Sequence, residues 1–151
     1  MFYAILLLMR YLGIDFGSKR IGLALSDESG TLAFPYEVLP NNKTLLEEVS
    51  RIISDQKVKL VVMGESKDFN GKDNAIAKSA EAFKQALEKR THKKVEYELE
   101  FLTSVQAGRN YSRRSSESRG SGARAASRKT NEMLDASAAA IILQSYLDRN
   151  R

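Results

Sequence analysis

The chain has 151 residues, 42% hydrophobic and 28% charged, with no cysteine and a net charge of +5. That length suits one domain, residues 1–151, large enough to bury a sheet under helices. The lack of cysteine excludes disulfides and thiolate metal sites and fits a reducing, cytoplasmic setting. The apolar run Phe2 to Met9 is too short for a membrane helix, which needs about 20 residues. No basic residue precedes it, as a secretory signal would require, so it reads as a lengthened first strand or a loose extension and gives no membrane partner.

The segment GIDFGSKRIGLALSD, residues 13 to 27, reads as strand, tight turn and returning strand. Tyr11 to Ile14 is an apolar run that delivers Asp15 to the strand end. Gly17 is expected to supply a conformation closed to other residues, with Ser18, Lys19 and Arg20 forming a basic turn before Ile21 to Leu25 resume the strand. An acid ending an apolar strand costs solvation unless a metal ion or a phosphate-bearing ligand offsets it. The plainer alternative is that Asp15 only starts a hairpin turn.

Thr31 to Leu39 predicts a third strand, with Pro35 marking an edge position or a bulge. Asn41 and Asn42 make a turn and can cap a helix over about 43–57, whose apolar face is Leu45, Leu46, Val49, Ile52 and Ile53. Leu60 to Met63 is a wholly apolar strand of the kind found inside parallel sheets, ending at Gly64. A second helix is predicted over about 73–90, with Ile76, Ala80, Phe83 and Leu87 on one face, and a strand over Val95 to Phe101. The last helix spans about 132–149, with Ala136, Ala140, Leu143 and Leu147 inward. Three antiparallel N-terminal strands followed by alternating helices and two further strands make an α/β chain with a central mixed sheet flanked by helices.

Charge is concentrated in one place. Val105 to Thr130 holds seven basic residues, Arg109, Arg113, Arg114, Arg119, Arg124, Arg128 and Lys129, against the single acid Glu117, a net +6. The remainder has 17 basic residues against 18 acids, a net −1. The stretch 110–130 is rich in serine and glycine and lacks hydrophobic periodicity, so it predicts a mobile basic loop. Arginine offers several donors to phosphate oxygens, so such a loop suits a nucleic-acid backbone; a solvated insertion with no partner is the alternative.

Acids at strand ends and helix starts form a second pattern: Asp15, Glu100 near the end of its strand, and Asp135 in the first turns of the alanine-rich DASAAAIILQSYL. Together they make an oxygen-rich set for Mg²⁺ or Mn²⁺, of the kind that activates water for phosphodiester cleavage. Singly, Glu100 reads as a solvent-facing strand residue and Asp135 as a partner of the helix dipole.

In order and spacing, GIDFGSKRIGLALSD, LVVMGESKDFNG, ELEFLTSVQA and LDASAAAIILQSYLDR resemble the YqgF family. This family, also called RuvX, comprises pre-16S rRNA nucleases or Holliday-junction-resolvase-like proteins. The resemblance implies an RNase H-like fold and an acidic site of Asp15, Glu100 and Asp135 that binds Mg²⁺ or Mn²⁺ for two-metal hydrolysis. It also implies contact with nucleic acid, pre-rRNA or branched DNA, through Lys19, Arg20 and the basic loop. Ribosomal precursor particles would then be partners, and the protein a cytoplasmic monomer or homodimer. Where the family usually shows Asp-Glu-Arg, this chain has Leu99, Glu100 and Phe101, retaining only the glutamate. Two other functions remain open, a Holliday junction resolvase and a non-catalytic, nucleic-acid-binding ribosome-maturation factor. A phosphate-binding motif of the actin and sugar-kinase kind would need a second domain for which 151 residues leave no room.

Overall fold

The computed structural model describes residues 9–65, 74–99 and 122–150, with the backbone alone at residue 74 and over 122–130. Five strands, β1 (Arg10–Phe16), β2 (Arg20–Ser26), β3 (Ala33–Pro40), β4 (Val58–Glu65) and β5 (Val95–Leu99), form one sheet in the order β3-β2-β1-β4-β5. The pairs β1–β2 and β2–β3 are antiparallel; β1–β4 and β4–β5 are parallel. Among the described residues the helices are α1 (Leu45–Asp55), α2 (Asn74–Thr91) and α3 (Gly122–Arg149). The mixed α/β architecture anticipated from the pattern is the one observed.

Strand alternation sorts the side chains onto two faces. Leu12, Ile14, Ile21, Leu23 and Leu25 close against Leu45, Val49 and Ile53 of α1 and Ala80 and Leu87 of α2. Each fully buried aliphatic side chain there contributes about 1.5–3 kcal/mol. The opposite face carries Ala24 and Val62 under Ala139, Ile142, Leu143, Tyr146 and Leu147 of α3. β4 is apolar on both sides because both are covered: Val61 and Met63 belong to the first cluster and Val62 to the second. Pro35 lies in the edge strand β3, beside a register shift opposite Leu23 and Ala24, as its missing donor requires.

Three expectations are corrected. The last helix begins at Gly122, not near residue 132, so 122–130 are helix and the predicted basic loop is shorter at its C-terminal end. An apolar stripe is what marks a helix in sequence, and 122–130 carry none, although alanine at 123, 125 and 126 has high helix propensity. Gly17 does not have a positive φ; its role is steric, because a Cβ there would lie 2.5 Å from the Arg20 carbonyl oxygen. Asn42 forms the turn before α1, its side-chain oxygen accepting from the Thr44 N–H and hydroxyl, but α1 has no side-chain cap at Thr44. Asn41 instead braces the β1–β2 turn, donating from its side chain to the Gly17 carbonyl and from its backbone to the Lys19 carbonyl, both at 2.9 Å.

Candidate active site on the α3 face

Asp15 is the penultimate residue of β1 and shares a face with Gly13, under α3. Its antiparallel partner is Gly22 of β2. A Cβ on Gly22 would lie 2.1 Å from the Asp135 carbonyl oxygen and 2.5 Å from its carbonyl carbon, so the α3 backbone rests directly on β2. Paired Cα atoms in an antiparallel ladder lie about 4.5–5.5 Å apart. Residues 15 and 135, distant in sequence, are therefore neighbours across one glycine. Gly13 serves the same approach lower down, where a Cβ would lie 2.8 Å from both the Ala139 carbonyl oxygen and the Leu143 Cβ.

The Asp135 carboxylate accepts a hydrogen bond from Arg20 Nε at 2.8 Å, with side chains 17% and 38% exposed respectively. Arg20 is thus the first residue of β2 and not, as the sequence suggested, part of the turn. Lys19 stays in the turn and is exposed. Arg124, Arg128 and Lys129 fall on the first turns of α3, while Arg109, Arg113, Arg114 and Arg119 lie outside the described residues. Glu100 lies outside them too.

Glu98, which sequence reasoning passed over, is only 2% exposed and pairs in register with Gly64 of β4. It accepts from Arg149 Nη2 at 2.5 Å and from Ser145 Oγ at 3.4 Å. Its neighbour on this face, Glu96, accepts from the Tyr146 hydroxyl and pairs with Lys94 at 3.0 Å. Burial, then the bond to Glu96, pushes the Tyr146 hydroxyl pKa up to about 12. The Tyr146 bond, followed by Lys94, holds Glu96 below the usual carboxylate range. The strict alternation of VEYEL is the signal that would have placed both glutamates on one face.

Among the described residues no three His, Asp or Glu side chains converge as a metal site. The chemistry of the two acids nevertheless suits a hard divalent cation, since carboxylate oxygens are its usual ligands. A guanidinium cation already docks on Asp135.

Comparison with known proteins agrees with this frame. The family described as RuvX, Holliday junction resolvase, matches residues 9–149. A protein of Bifidobacterium adolescentis named "Putative pre-16S rRNA nuclease" is 38% identical over 150 residues, covering 95% of this chain and 99% of its own. One of Streptococcus mutans with the same name is 33% identical over 145 residues, covering 93% and 99%. The fold is similar to that of Thermus thermophilus RuvC in complex with a Holliday junction substrate, with a TM-score of 0.56 at 14% identity, covering 94% of this chain and 95% of that one. It is also similar to the Fowlpox virus resolvase bound to Holliday junction DNA, with a TM-score of 0.55 at 14% identity, covering 94% and 99%. The fold is RNase H-like, and the chain belongs to the YqgF/RuvX family of nucleases and resolvases.

Proposed function

We propose that this protein is a divalent-metal-dependent nuclease that hydrolyses phosphodiester bonds, with the 5′ end of pre-16S rRNA as its substrate. The observation that carries the reading is the approach of α3 to β2 at Gly22, which sets Asp135 beside the strand partner of Asp15. Asp15, Asp135 and Glu100 are the residues that would hold Mg²⁺ or Mn²⁺. Bound there, the ions supply activation of water and charge stabilisation at the phosphodiester. Lys19, Arg20 and the arginines of 109–128, with Lys129, hold the backbone phosphates, which makes binding fall steeply with salt. The rigid β1–β2 turn, braced by Asn41, keeps Lys19 beside the strand end that carries Asp15. Nothing in this set reads base edges, so preference comes from the shape of the RNA. The relatives' name motivates rRNA; the description of the matching family motivates four-way DNA junctions as the second substrate.

Cleavage of a pre-16S rRNA 5′ leader and of a four-way junction, each with and without Mn²⁺, tests the reading. The expected result is Mn²⁺-dependent cutting of the RNA that Asp15→Asn abolishes while nucleic-acid binding persists. Failure of both substrates with any divalent ion would leave a non-catalytic maturation factor.

A further inference from the structure

The ion pair between Arg20 and Asp135 joins two groups that the proposed chemistry needs apart. Arg20 begins β2 beside the exposed turn, and its Nε donates to Asp135 Oδ2 at 2.8 Å. Asp135 is the more enclosed partner, at 17% exposure against 38%. Arginine binds phosphate oxygens with the same donor geometry that it uses for carboxylates. A carboxylate neutralised by a guanidinium is also a poorer ligand for a divalent cation, because the two cations compete for its charge.

We propose that Arg20 is a latch on Asp135. Without substrate it occupies the carboxylate and lowers the affinity of the site for Mg²⁺ or Mn²⁺; a backbone phosphate of the nucleic acid draws the guanidinium away and frees Asp135 for the ion. This rests on the nuclease reading above and adds regulation to the same site. Loading with metal and engagement of nucleic acid then reinforce one another, since coupling between two ligands is reciprocal. The location of the pair supports the exchange. The Gly22 contact fixes the Asp135 backbone against β2, so the acid stays where it is while the longer, more exposed Arg20 side chain moves.

The test is Mn²⁺ affinity of the nucleic-acid-free protein, read from the electron paramagnetic resonance signal of unbound Mn²⁺. It is applied to wild type, Arg20→Gln, Arg20→Lys, Asp135→Asn and the Arg20→Gln/Asp135→Asn double variant, each shown to be folded by circular dichroism. Arg20→Gln is expected to bind Mn²⁺ at least about fivefold more tightly than wild type, the low end of ordinary coupling between ligands. Arg20→Lys, which keeps the charge but loses the Nε donor, should fall between them. In the Asp135→Asn background the Arg20 change should have no effect, as a cycle on a shared partner requires. If Asp135→Asn weakens Mn²⁺ binding but Arg20→Gln leaves it unchanged or weaker, Arg20 positions a ligand and the latch is wrong. If Asp135→Asn binds Mn²⁺ as wild type does, the metal reading itself fails, and the latch with it.

Discussion

On the face covered by α1 and α2, the strands present Leu12, Ile14, Ile21, Leu23 and Met63, all wholly buried. On the face covered by α3, β1 and β2 present Gly13, Asp15, Arg20 and Gly22, and β5 presents Glu96 and Glu98. The first face is held by apolar area, which is non-directional and tolerates substitutions that preserve volume. The second adds close backbone approach and charged hydrogen bonds, which are directional, to its own apolar cluster under α3. Both faces therefore contribute to folding, and the candidate site lies only on the one that α3 covers.

The sharpest way to break this contrast is to perturb adjacent residues of β2 that point opposite ways. Leu23→Ala should cost about 2–5 kcal/mol by leaving a cavity under α1 and α2, while the folded fraction keeps its specific nuclease activity. Gly22→Ala should cost about 3 kcal/mol or more, because its Cβ meets backbone atoms of α3 and not a yielding side chain. Its activity should fall beyond its loss of stability, since the clash displaces Asp135. Urea melts beside specific activity per folded molecule check both. Equal activity losses for the two variants would erase the distinction between the faces.

The charged ties of the α3 face come next. Arg149→Met leaves the buried Glu98 carboxylate, among the described residues, with only the long contact to Ser145. Removing one partner of a buried pair is costly, but Arg149 is 57% exposed, so about 1–3 kcal/mol is expected after solvent screening. Adding Glu98→Gln to that variant should recover part of the loss, because the uncompensated charge disappears. Thermal denaturation of the single and double variants reads this directly.

Polar order also exists at the sheet end remote from Asp15. Asp27 follows β2, and its carboxylate accepts from the Ser29 and Thr31 hydroxyls and from the Thr31 and Leu32 N–H groups. Burial pushes its pKa up, but these bonds outweigh it and hold the carboxyl well below the usual range. A depressed folded pKa means that the stabilisation is complete above the unfolded value near 3.8 and is lost as pH falls through the folded one. Asp27→Asn should therefore cost about 1–2 kcal/mol at neutral pH, with the gap to wild type closing only below about pH 4. Cleavage by the folded variant should be unchanged. The smallest effect belongs to Phe34→Ser on β3: Phe34 lies at the sheet edge and is 53% exposed, so a change within about ±0.5 kcal/mol is expected in the same melts.

Periodicity and punctuation in the chain determined every described strand, the inward faces of α1 and α2, and the edge position of Pro35, because those features are local: alternation, helical spacing and a missing donor act wherever they occur. Asp15 was legible as a candidate because it is a carboxylate near the end of an apolar strand; Asp135 was singled out as a first-turn acid, but it lies in the middle of α3, away from the helix N-terminus. Tertiary structure alone decided the rest. Gly22 looks like an ordinary glycine in a strand until α3 is seen resting on it, and Arg20 looks like a turn residue until Asp135 is seen to accept from it across 115 positions of sequence. The start of α3 at Gly122 was hidden because 122–130 offer serine, glycine and charge in place of an apolar stripe, a composition that reads as loop. Glu98 was hidden because burial of a charge depends on a partner, Arg149, that only folding brings to it.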